Sequence, residues 1–422
     1  MLTQAPRGTR DVLPTQSYRW QYLEAKMRRA AAEAGFREVR TPVFEHTELF
    51  LRGVGDTTDI VQKEMYTFLD KGKRSITLKP EGTAGAARSF LESNLYAEPL
   101  PCKMYYLSAP VFRYEAPQAG RLREHHQFGL ECFGANEATA DAELIILAYR
   151  YLSGLGISNL SVNINSIGCP ECRPKYNEAL KNYLRERTDC LCQDCRNRLE
   201  RNPLRVLDCK VPTCQEVVKD APRLLDWLDD DCRNHFQQLQ DCLAKEKIPF
   251  EVNSHIVRGL DYYTKTVFEL ITKTPEGNLT VCGGGRYDHL VKELGGPDLP
   301  AVGFGMGVER VLMLLDSEGI SIPEPDLVDV FVTYMGDHVL DAFSLVQRLR
   351  ESGLKADMDH TGRSLKAQFK YANKLGAAVC ATLGDSEVAE GVVNLKNMKT
   401  GESKTVPLAE AAEHVKAMSG TV

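Results

Sequence analysis

Apolar residues recur at spacings of three and four near the start of the chain. Trp20, Leu23, Met27, Ala30 and Ala34 share one face, and Gly35 ends the run. That period predicts an amphipathic helix over 15–35. The pattern then changes: in FREVRTPVFEHTELF, Pro42 removes the helical option and favours extended chain around it. Residues 102–134 read as a β-hairpin with a long polar loop, and 137–154 return to helical spacing. From Gly168 to about Pro249 there is no strongly alternating strand. This stretch is Cys-rich, then helical and charged, and reads as an inserted helical module. Strand patterns resume at Phe250–Ser254 and Thr266–Thr272. Two Gly-rich segments, CGGGRYDHL and AVGFGMGVERVLMLL, follow, the second running into a helix with Val308, Val311, Leu312 and Leu315.

The segment GISIPEPDLVD, with Pro323 and Pro325, predicts a linker. Beyond it the pattern alternates: a strand at DVFVTYM, a helix over 338–351, a strand at LKADMDH, a helix over 364–375 and a strand at AAVCATL. GVVNLKNM and SKTVPL then predict a hairpin around Lys399–Gly401. Such alternation implies a mainly parallel sheet, with the hairpin on one edge.

The chain has 422 residues, 43% hydrophobic and 26% charged. At roughly 100–200 residues per domain it has room for two to four domains. No apolar run approaches the roughly 20 residues that span a bilayer, and MLTQAPRGTRDVLP has no apolar core of a secretory signal. A cytoplasmic protein with no membrane partner is therefore expected. The net charge of −6 does not mark a general polyanion binder, though local basic patches suffice to hold phosphates. Of the 13 cysteines, seven lie between Cys169 and Cys214. Without a signal segment, such clustering favours reduced thiols or a metal site over disulfides.

The hairpin carries the most chemistry. Residues two apart on a strand share a face, so Arg113 pairs with Glu115, and Gln127 with Glu131, leaving open space over Gly129. The other faces hold Phe112, Tyr114, Phe128 and Leu130. Arg suits a phosphate, and a carboxylate suits an amino group or an imidazole; a solvated face of ion pairs is the alternative. The loop APQAGRLRE adds Arg121 and Arg123, suited to a polyphosphate or an RNA end, or simply an exposed turn. Neither Gly-rich segment fits the dinucleotide or P-loop pattern, because Val308 stands where a third glycine belongs and no lysine follows. Alternate glycines still let a ligand approach a strand backbone, and Arg310 could reach a phosphate there. In RGLDYYTKTVFE, Arg258, Asp261, Tyr262 and Tyr263 surround Gly259, as at a pocket edge or in a surface loop packed on the body.

The pairs Cys169–Cys172 and Cys192–Cys195, each C-x₂-C and 19 residues apart, match the spacing of a four-thiolate structural zinc site, with reduced thiols as the alternative. In that reading Cys190, Cys209 and Cys214 are spares. Arg363, Lys366, Lys370 and Lys374 form a basic stripe on one helix beside Leu365 and Phe369 on its inward side. The stripe is either a solvated face or a phosphate-backbone contact.

Together these segments resemble the histidyl-tRNA synthetase family, within the class II aminoacyl-tRNA synthetases. RGTRDVLP resembles its N-terminal signature. RTPVFEHTELF resembles class motif 1, VFRYE through QFGLECFG motif 2, and AVGFGMGVERVLMLL motif 3. RGLDYYTKTVFE and GGGRYDHLV resemble the two histidine-specific segments. The resemblance implies an α+β fold: a class II antiparallel sheet core over 1–168 and 250–322, a helical Cys-rich insertion over 169–249, and a C-terminal α/β anticodon-binding domain over 326–422. It implies a homodimer built on motif 1.

It also implies a histidine–tRNA ligase that uses ATP and Mg²⁺ to form histidyl-adenylate and then charges tRNA-His. Arg258, Arg113 and Arg310 would be the catalytic cations. Glu81, Thr83 and Gln127 would hold the α-amino group of L-histidine, with Glu131, Tyr262, Tyr263 and Tyr287 toward its imidazole. ATP would meet Arg113, Glu115, Arg121, His125 and Arg310, with His125 standing where the family often has Phe. Gln118, Arg123, Arg363, Lys366 and Lys370 would meet tRNA. Cys169, Cys172, Cys192 and Cys195 are no general feature of the family, so zinc rests on spacing alone. Two readings compete: a catalytically silent, synthetase-like regulatory subunit of ATP phosphoribosyltransferase, and a non-catalytic RNA-binding or zinc-module protein. The retained arginines and the full C-terminal domain argue against the first, and the net charge argues weakly against the second.

Overall fold

The structure is a computed structural model describing residues 3–55, 58, 60–115, 122–274, 277–325 and 327–420. It divides into two compact units, Met1–Ile322 and Pro323–Val422.

In the first unit α1 (Pro14–Glu33) leads into β1 (Arg37–Glu38), β2 (Phe44–His46) and α2 (Thr47–Gly53). Next come β3 (Tyr66–Leu69), β4 (Ser75–Leu78), α3 (Thr83–Glu92), β5 (Cys102–Phe112), β6 (Glu124–Phe133), α4 (Ala138–Gly154) and β7 (Leu160–Ser166). The Cys-rich stretch supplies α5 (Cys172–Arg185), α6 (Gln193–Arg201), α7 (Leu204–Leu207), α8 (Pro212–Val218) and α9 (Asp230–Lys245). The chain then returns to strands at β8 (Phe250–Val252), β9 (Thr264–Thr274) and β10 (Gly277–Arg286), and closes with α10 (Leu290–Glu293), β11 (Ala301–Gly307) and α11 (Val308–Ser317).

Eight strands form one sheet in the order β1-β5-β6-β11-β10-β9-β7-β8. Every pairing from β5 across to β7 is antiparallel, and the short edge strands β1 and β8 pair in parallel. Alternation gives this sheet two unlike faces. Phe128, Leu130, Phe304, Met306 and Phe268 point to one core, against Leu23 and Met27 of α1, Leu144 of α4, Leu239 of α9 and Val311 of α11. Gln127, Gly129 and Glu131 therefore face the other way. A small antiparallel sheet, β2-β4-β3, stands apart.

α1 buries Trp20, Leu23, Met27 and Ala31. Its inner face thus runs through Ala31, and the expected Ala30 and Ala34 lie half-buried on its flank. β5 ends at Phe112, so Arg113 and Glu115 lie beyond the strand. The Glu115 amide bonds back to the Arg113 carbonyl at 2.9 Å in a tight turn. β5 also carries a bulge between Tyr106 and Ala109 that alternation does not reveal.

The second unit holds β12 (Val330–Tyr334), α12 (Val339–Glu351), β13 (Ala356–Met358), α13 (Leu365–Lys374), β14 (Val379–Leu383), α14 (Asp385–Glu390), β15 (Val392–Asn397), β16 (Ser403–Pro407) and α15 (Ala411–Ser419). Its sheet order is β13-β12-β14-β15-β16, parallel across β13, β12 and β14 with the β15–β16 hairpin on one edge. The inward face of α13 is centred on buried Gln368 and Ala372, with Phe369 packed half-buried beside them and Leu365 off that core. Gln368 is drawn in because its amide bonds both the amide and the carbonyl of Tyr334, at 2.9 and 3.1 Å. No helix among the described residues is long and apolar enough to cross a membrane.

Candidate active site

The polar face of the large sheet is shaped by its glycines. A Cβ at Gly303 would overlap the Glu131 carboxylate, and one at Gly285 would stand 2.9 Å from the Tyr263 ring. At Gly283 a Cβ would meet the Arg258 guanidinium at 2.5 Å. These glycines admit the chain's own functional side chains flat against the strands. The space over Gly129 is likewise not open: the Tyr106 ring fills it, and also the space beside Gly82. Around Gly305 and Gly307 the nearest atoms, on Gln127 and Arg310, are 3.4 Å or more away.

Two buried carboxylates form the floor. Glu81 accepts from the backbone amides of Thr83 and Ala84, each at 2.7 Å, at the start of α3. Burial raises its pKa, and those amides oppose the rise. Glu131 accepts from the Thr83 hydroxyl at 2.8 Å, from Tyr106 at 3.1 Å and from Tyr287. Burial pushes Glu131 up to about 8, with the Tyr287 and Thr83 hydroxyls opposing and nearby Glu81 adding to it. Tyr262, Tyr263 and Tyr287 pack as one aromatic wall, with ring centroids 4.7, 5.4 and 6.5 Å apart. Burial lifts all three phenols above their ordinary range, so they remain hydroxyl donors.

Behind this wall, Arg286 is wholly buried and pairs with Asp141 at 2.6 Å and the Ala135 carbonyl at 2.8 Å. That clamp fixes the strand end that presents Tyr287. Arg258 lies across β10 and pairs with Glu269 of β9. Burial would lower its pKa, but Glu269 and Tyr263 hold it above the ordinary guanidinium value, so it is always charged. Glu269 also accepts from Thr280 at 3.2 Å, and Arg310 donates to the Thr280 carbonyl. Arg258 and Arg310 are thus joined through Glu269 and Thr280. Arg113 donates to the Pro80 carbonyl at 2.8 Å, beside Glu81.

His125 lies within the field of the remaining arginines. Burial and the Arg113 charge, with Arg310 adding to them, hold its pKa at about 4, against the pull of Glu309. The ring is neutral at physiological pH, suited to stacking on a base. Glu309 bonds the His126 amide at 3.0 Å and its ring at 2.8 Å, and Trp20 packs edge-on against that ring at 5.0 Å.

The expected residues thus fall into two groups. Glu81, Thr83, Glu131, Tyr262, Tyr263 and Tyr287 share one buried cluster, with Gln127 along the same face. Arg113, Arg310 and His125 lie together, and Arg258 reaches them through Glu269. Tyr106, Glu269, Arg286 and Glu309 escaped the sequence reading. For Tyr106 the only signal was a tyrosine on the strand face opposite Gly129. Gln118 and Arg121 lie outside the described residues. Arg123 stacks over Tyr114 at 4.4 Å and meets Gly8 of the RGTRDVLP segment. In the second unit Arg363 pairs with Asp359 and lies over Tyr371 at 4.4 Å, while Lys366 and Lys370 are exposed.

The cysteine expectation needs correction. Cys169–Cys172 and Cys192–Cys195 do not converge on one point. Cys192 and Cys195 gather with Cys209 and Cys214, whereas Cys169 and Cys172 gather with Asp229 and Cys232. Each C-x₂-C pair sits at the start of its own helix, α6 or α5, and α9 delivers the distant members of the second group, Asp229 and Cys232.

Comparison with known proteins agrees with the geometry. The family model for histidyl-tRNA synthetase matches residues 8–311, and the anticodon binding domain model matches 329–418. A histidine--tRNA ligase of Caldanaerobacter subterraneus is 56% identical over 417 residues, covering 99% of this chain and all of that one. The crystal structure of apo S. aureus histidyl-tRNA synthetase superposes with a TM-score of 0.84 at 38% identity, covering 98% of this chain and 99% of that one. A Bacillus halodurans ATP phosphoribosyltransferase regulatory subunit/histidyl-tRNA synthetase shares the fold alone, with a TM-score of 0.61 at 21% identity. A full-length match above half identity, on a sheet whose polar face gathers carboxylates, phenols and guanidinium groups, places this chain in the histidyl-tRNA synthetase family.

Proposed function

We propose a division of labour among these residues for the histidine–tRNA ligase reaction. The chain is an aminoacyl-tRNA ligase of histidine; the regulatory-subunit alternative is not favoured, because the relative matching it end to end at 56% identity is a histidine--tRNA ligase. The reaction begins when an oxygen of the histidine carboxylate attacks the α-phosphorus of ATP. The bond to the bridging oxygen breaks and pyrophosphate leaves. Both reactants are anions, so fixed cations must offset their repulsion and the charge growing on phosphorus. Arg258, held by Glu269, serves the carboxylate and the reacting phosphate. Arg113 and Arg310 serve the phosphates from the other side, and ATP arrives as its Mg²⁺ complex. His125 stacks on adenine, Glu115 meets its amino group, and Arg121 meets the outer phosphates.

Glu81, assisted by Thr83 and Gln127, takes the α-amino group. Glu131, with Tyr262, Tyr263 and Tyr287, faces the imidazole. A rival without ring nitrogens would leave these buried groups unpaired, which discriminates by about 10⁴ without editing. In the second step the terminal ribose hydroxyl of tRNA-His attacks the adenylate carbonyl and AMP leaves. Lys366, Lys370 and Arg363 of the second unit hold the tRNA backbone by charge, and Gln118 and Arg123 meet its acceptor end. Two copies associate through the motif 1 region, where Val43, Phe44, Phe68 and Leu69 are exposed apolar residues on or beside the small sheet.

The observation that carries this reading is Glu131: a wholly buried carboxylate ringed by hydroxyl donors, on the sheet face where Arg258 lies across β10. ATP–pyrophosphate exchange with each of the twenty amino acids tests it. Exchange should depend on histidine alone. Arg258→Ala should cut that exchange by about 10²–10³ while changing histidine affinity little. Equal losses in both would contradict the role given to Arg258.

A further inference from the structure

Seven of the thirteen cysteines are drawn into two compact groups, and neither serves the chemistry above. The sulfurs of Cys192, Cys195, Cys209 and Cys214 all lie within 4.8 Å of one another. The sulfurs of Cys169, Cys172 and Cys232 and a carboxylate oxygen of Asp229 do the same. We propose that the chain holds two structural zinc ions, one in the four-thiolate group and one in the group of three thiolates and Asp229. The proposal does not depend on the roles assigned to the active-site residues.

Geometry favours a metal over packed thiols or disulfides. A disulfide joins two sulfurs at about 2.05 Å and would leave the rest unpaired. A tetrahedral zinc with Zn–S near 2.3 Å sets its ligand sulfurs about 3.8 Å apart. Cys192 and Cys209 are 3.8 Å apart. In the second group Cys169 and Cys172 are 3.5 Å apart, and Asp229 Oδ2 lies 3.1 and 3.2 Å from them. The sulfurs are also supported from outside, as metal thiolates usually are. The Cys192 amide donates to Cys214 Sγ at 3.1 Å, and the Asp229 amide to Cys172 Sγ at 3.2 Å. Asp229 is fixed by accepting the Cys232 amide at 2.7 Å as the N-cap of α9.

The location explains the need. α6, α7 and α8 have 9, 4 and 7 residues, too short to be stable alone. The first group ties α6 and α8 to the turn that follows α7. The second joins the turn after β7 and the start of α5 to the start of α9. The residues so fixed brace the loop that carries Arg258. Arg173, next to Cys172, donates to the carbonyls of Ile167, at 3.1 Å, and Tyr263. Asn202, after α6, donates to Asp261 at 2.9 Å.

Elemental analysis of the full chain, expressed with added zinc and purified without chelator, tests the proposal. Two zinc ions per chain are expected. Cys209→Ser and Cys232→Ser should each leave one, and Cys190→Ser, an exposed cysteine outside both groups, should leave two. Replacing zinc with cobalt in the unmutated chain should give thiolate charge-transfer bands and the intense visible bands of tetrahedral cobalt. This measurement does not depend on any variant folding. An unmutated chain that carries one zinc or none after equilibration with the metal, with its thiols reduced, would overturn the two-site assignment.

Discussion

Glu131 shows what one residue can reveal. Its ordinary carboxyl value is 4.5, and in the folded chain burial lifts it to about 8. Between those values the folded chain keeps a proton that the unfolded chain releases. Stability from this group is therefore fully present below about 4.5 and falls as pH rises through about 8. Glu131→Gln removes the titration and keeps an acceptor for the surrounding hydroxyls. Without substrate, the melting temperature of the unmutated chain should drop relative to Glu131→Gln by roughly 5 °C between about pH 5 and pH 8.5. A constant difference across that range would mean that Glu131 stays ionised. Arg113, Gln127 and Glu131 stood out in the sequence because Arg, Glu and Gln gather on one face of an alternating hairpin, with a solvated face of ion pairs as the alternative. Tyr106 and Glu269 did not, since an aromatic or an acid within an alternating strand has ordinary structural uses. Only the pairing of strands shows that Tyr106 fills the gap over Gly129 and that Glu269 meets Arg258.

At the scale of elements, the glycines of β10 and β11 set how closely side chains cross the sheet. The sequence showed clearings and suggested a ligand; the strands show several already filled by Arg258, Tyr263 and Glu131. Gly303→Ala would overlap Glu131 and meet the Leu130 carbonyl at 2.7 Å. Overpacking of this kind costs about 1–3 kcal/mol, and here it falls on the Glu131 floor, proposed to face histidine. Histidine-dependent exchange should drop by at least about tenfold, mainly through a raised KM for histidine. Gly307→Ala meets only the Arg310 stem, at 3.6 Å, and should leave the melting temperature unchanged. Equal thermal losses in the two variants would show that backbone freedom, rather than the space taken by Glu131, decides. Element types were legible where a period of two or near four ran long, as in α1 and α4, though α3, of ten residues, was not read. α14 and α15 were missed, one of six residues and one following a hairpin at the end of the chain. The cysteine grouping was missed for a related reason. Spacing along the chain matches pairs, but α9, some 60 residues beyond Cys169, delivers Asp229 and Cys232.

At the scale of the molecule, the chain divides where the sequence placed its prolines, between Ile322 and Pro323. Each unit has its own apolar core, around Phe128, Leu144 and Leu239 in the first and around Val330, Leu345 and Leu395 in the second. Every described residue assigned to histidine or ATP belongs to the first unit, and the basic stripe of α13 to the second. The two half-reactions should therefore separate. A chain ending at Ile322 should keep histidine-dependent pyrophosphate exchange within about tenfold, because no catalytic side chain is removed. Its kcat/KM for charging tRNA-His should fall by about 10²–10⁴, the gain that a second tethered contact normally supplies. The lost portion should also carry salt dependence, since lysines and arginines holding phosphates release counterions. The full chain should thus lose charging efficiency with added salt more steeply than the shortened one. If the shortened chain folds cooperatively yet loses exchange, the second unit supports the adenylate site itself. If it charges tRNA as well as the full chain, the α13 stripe is only a solvated face.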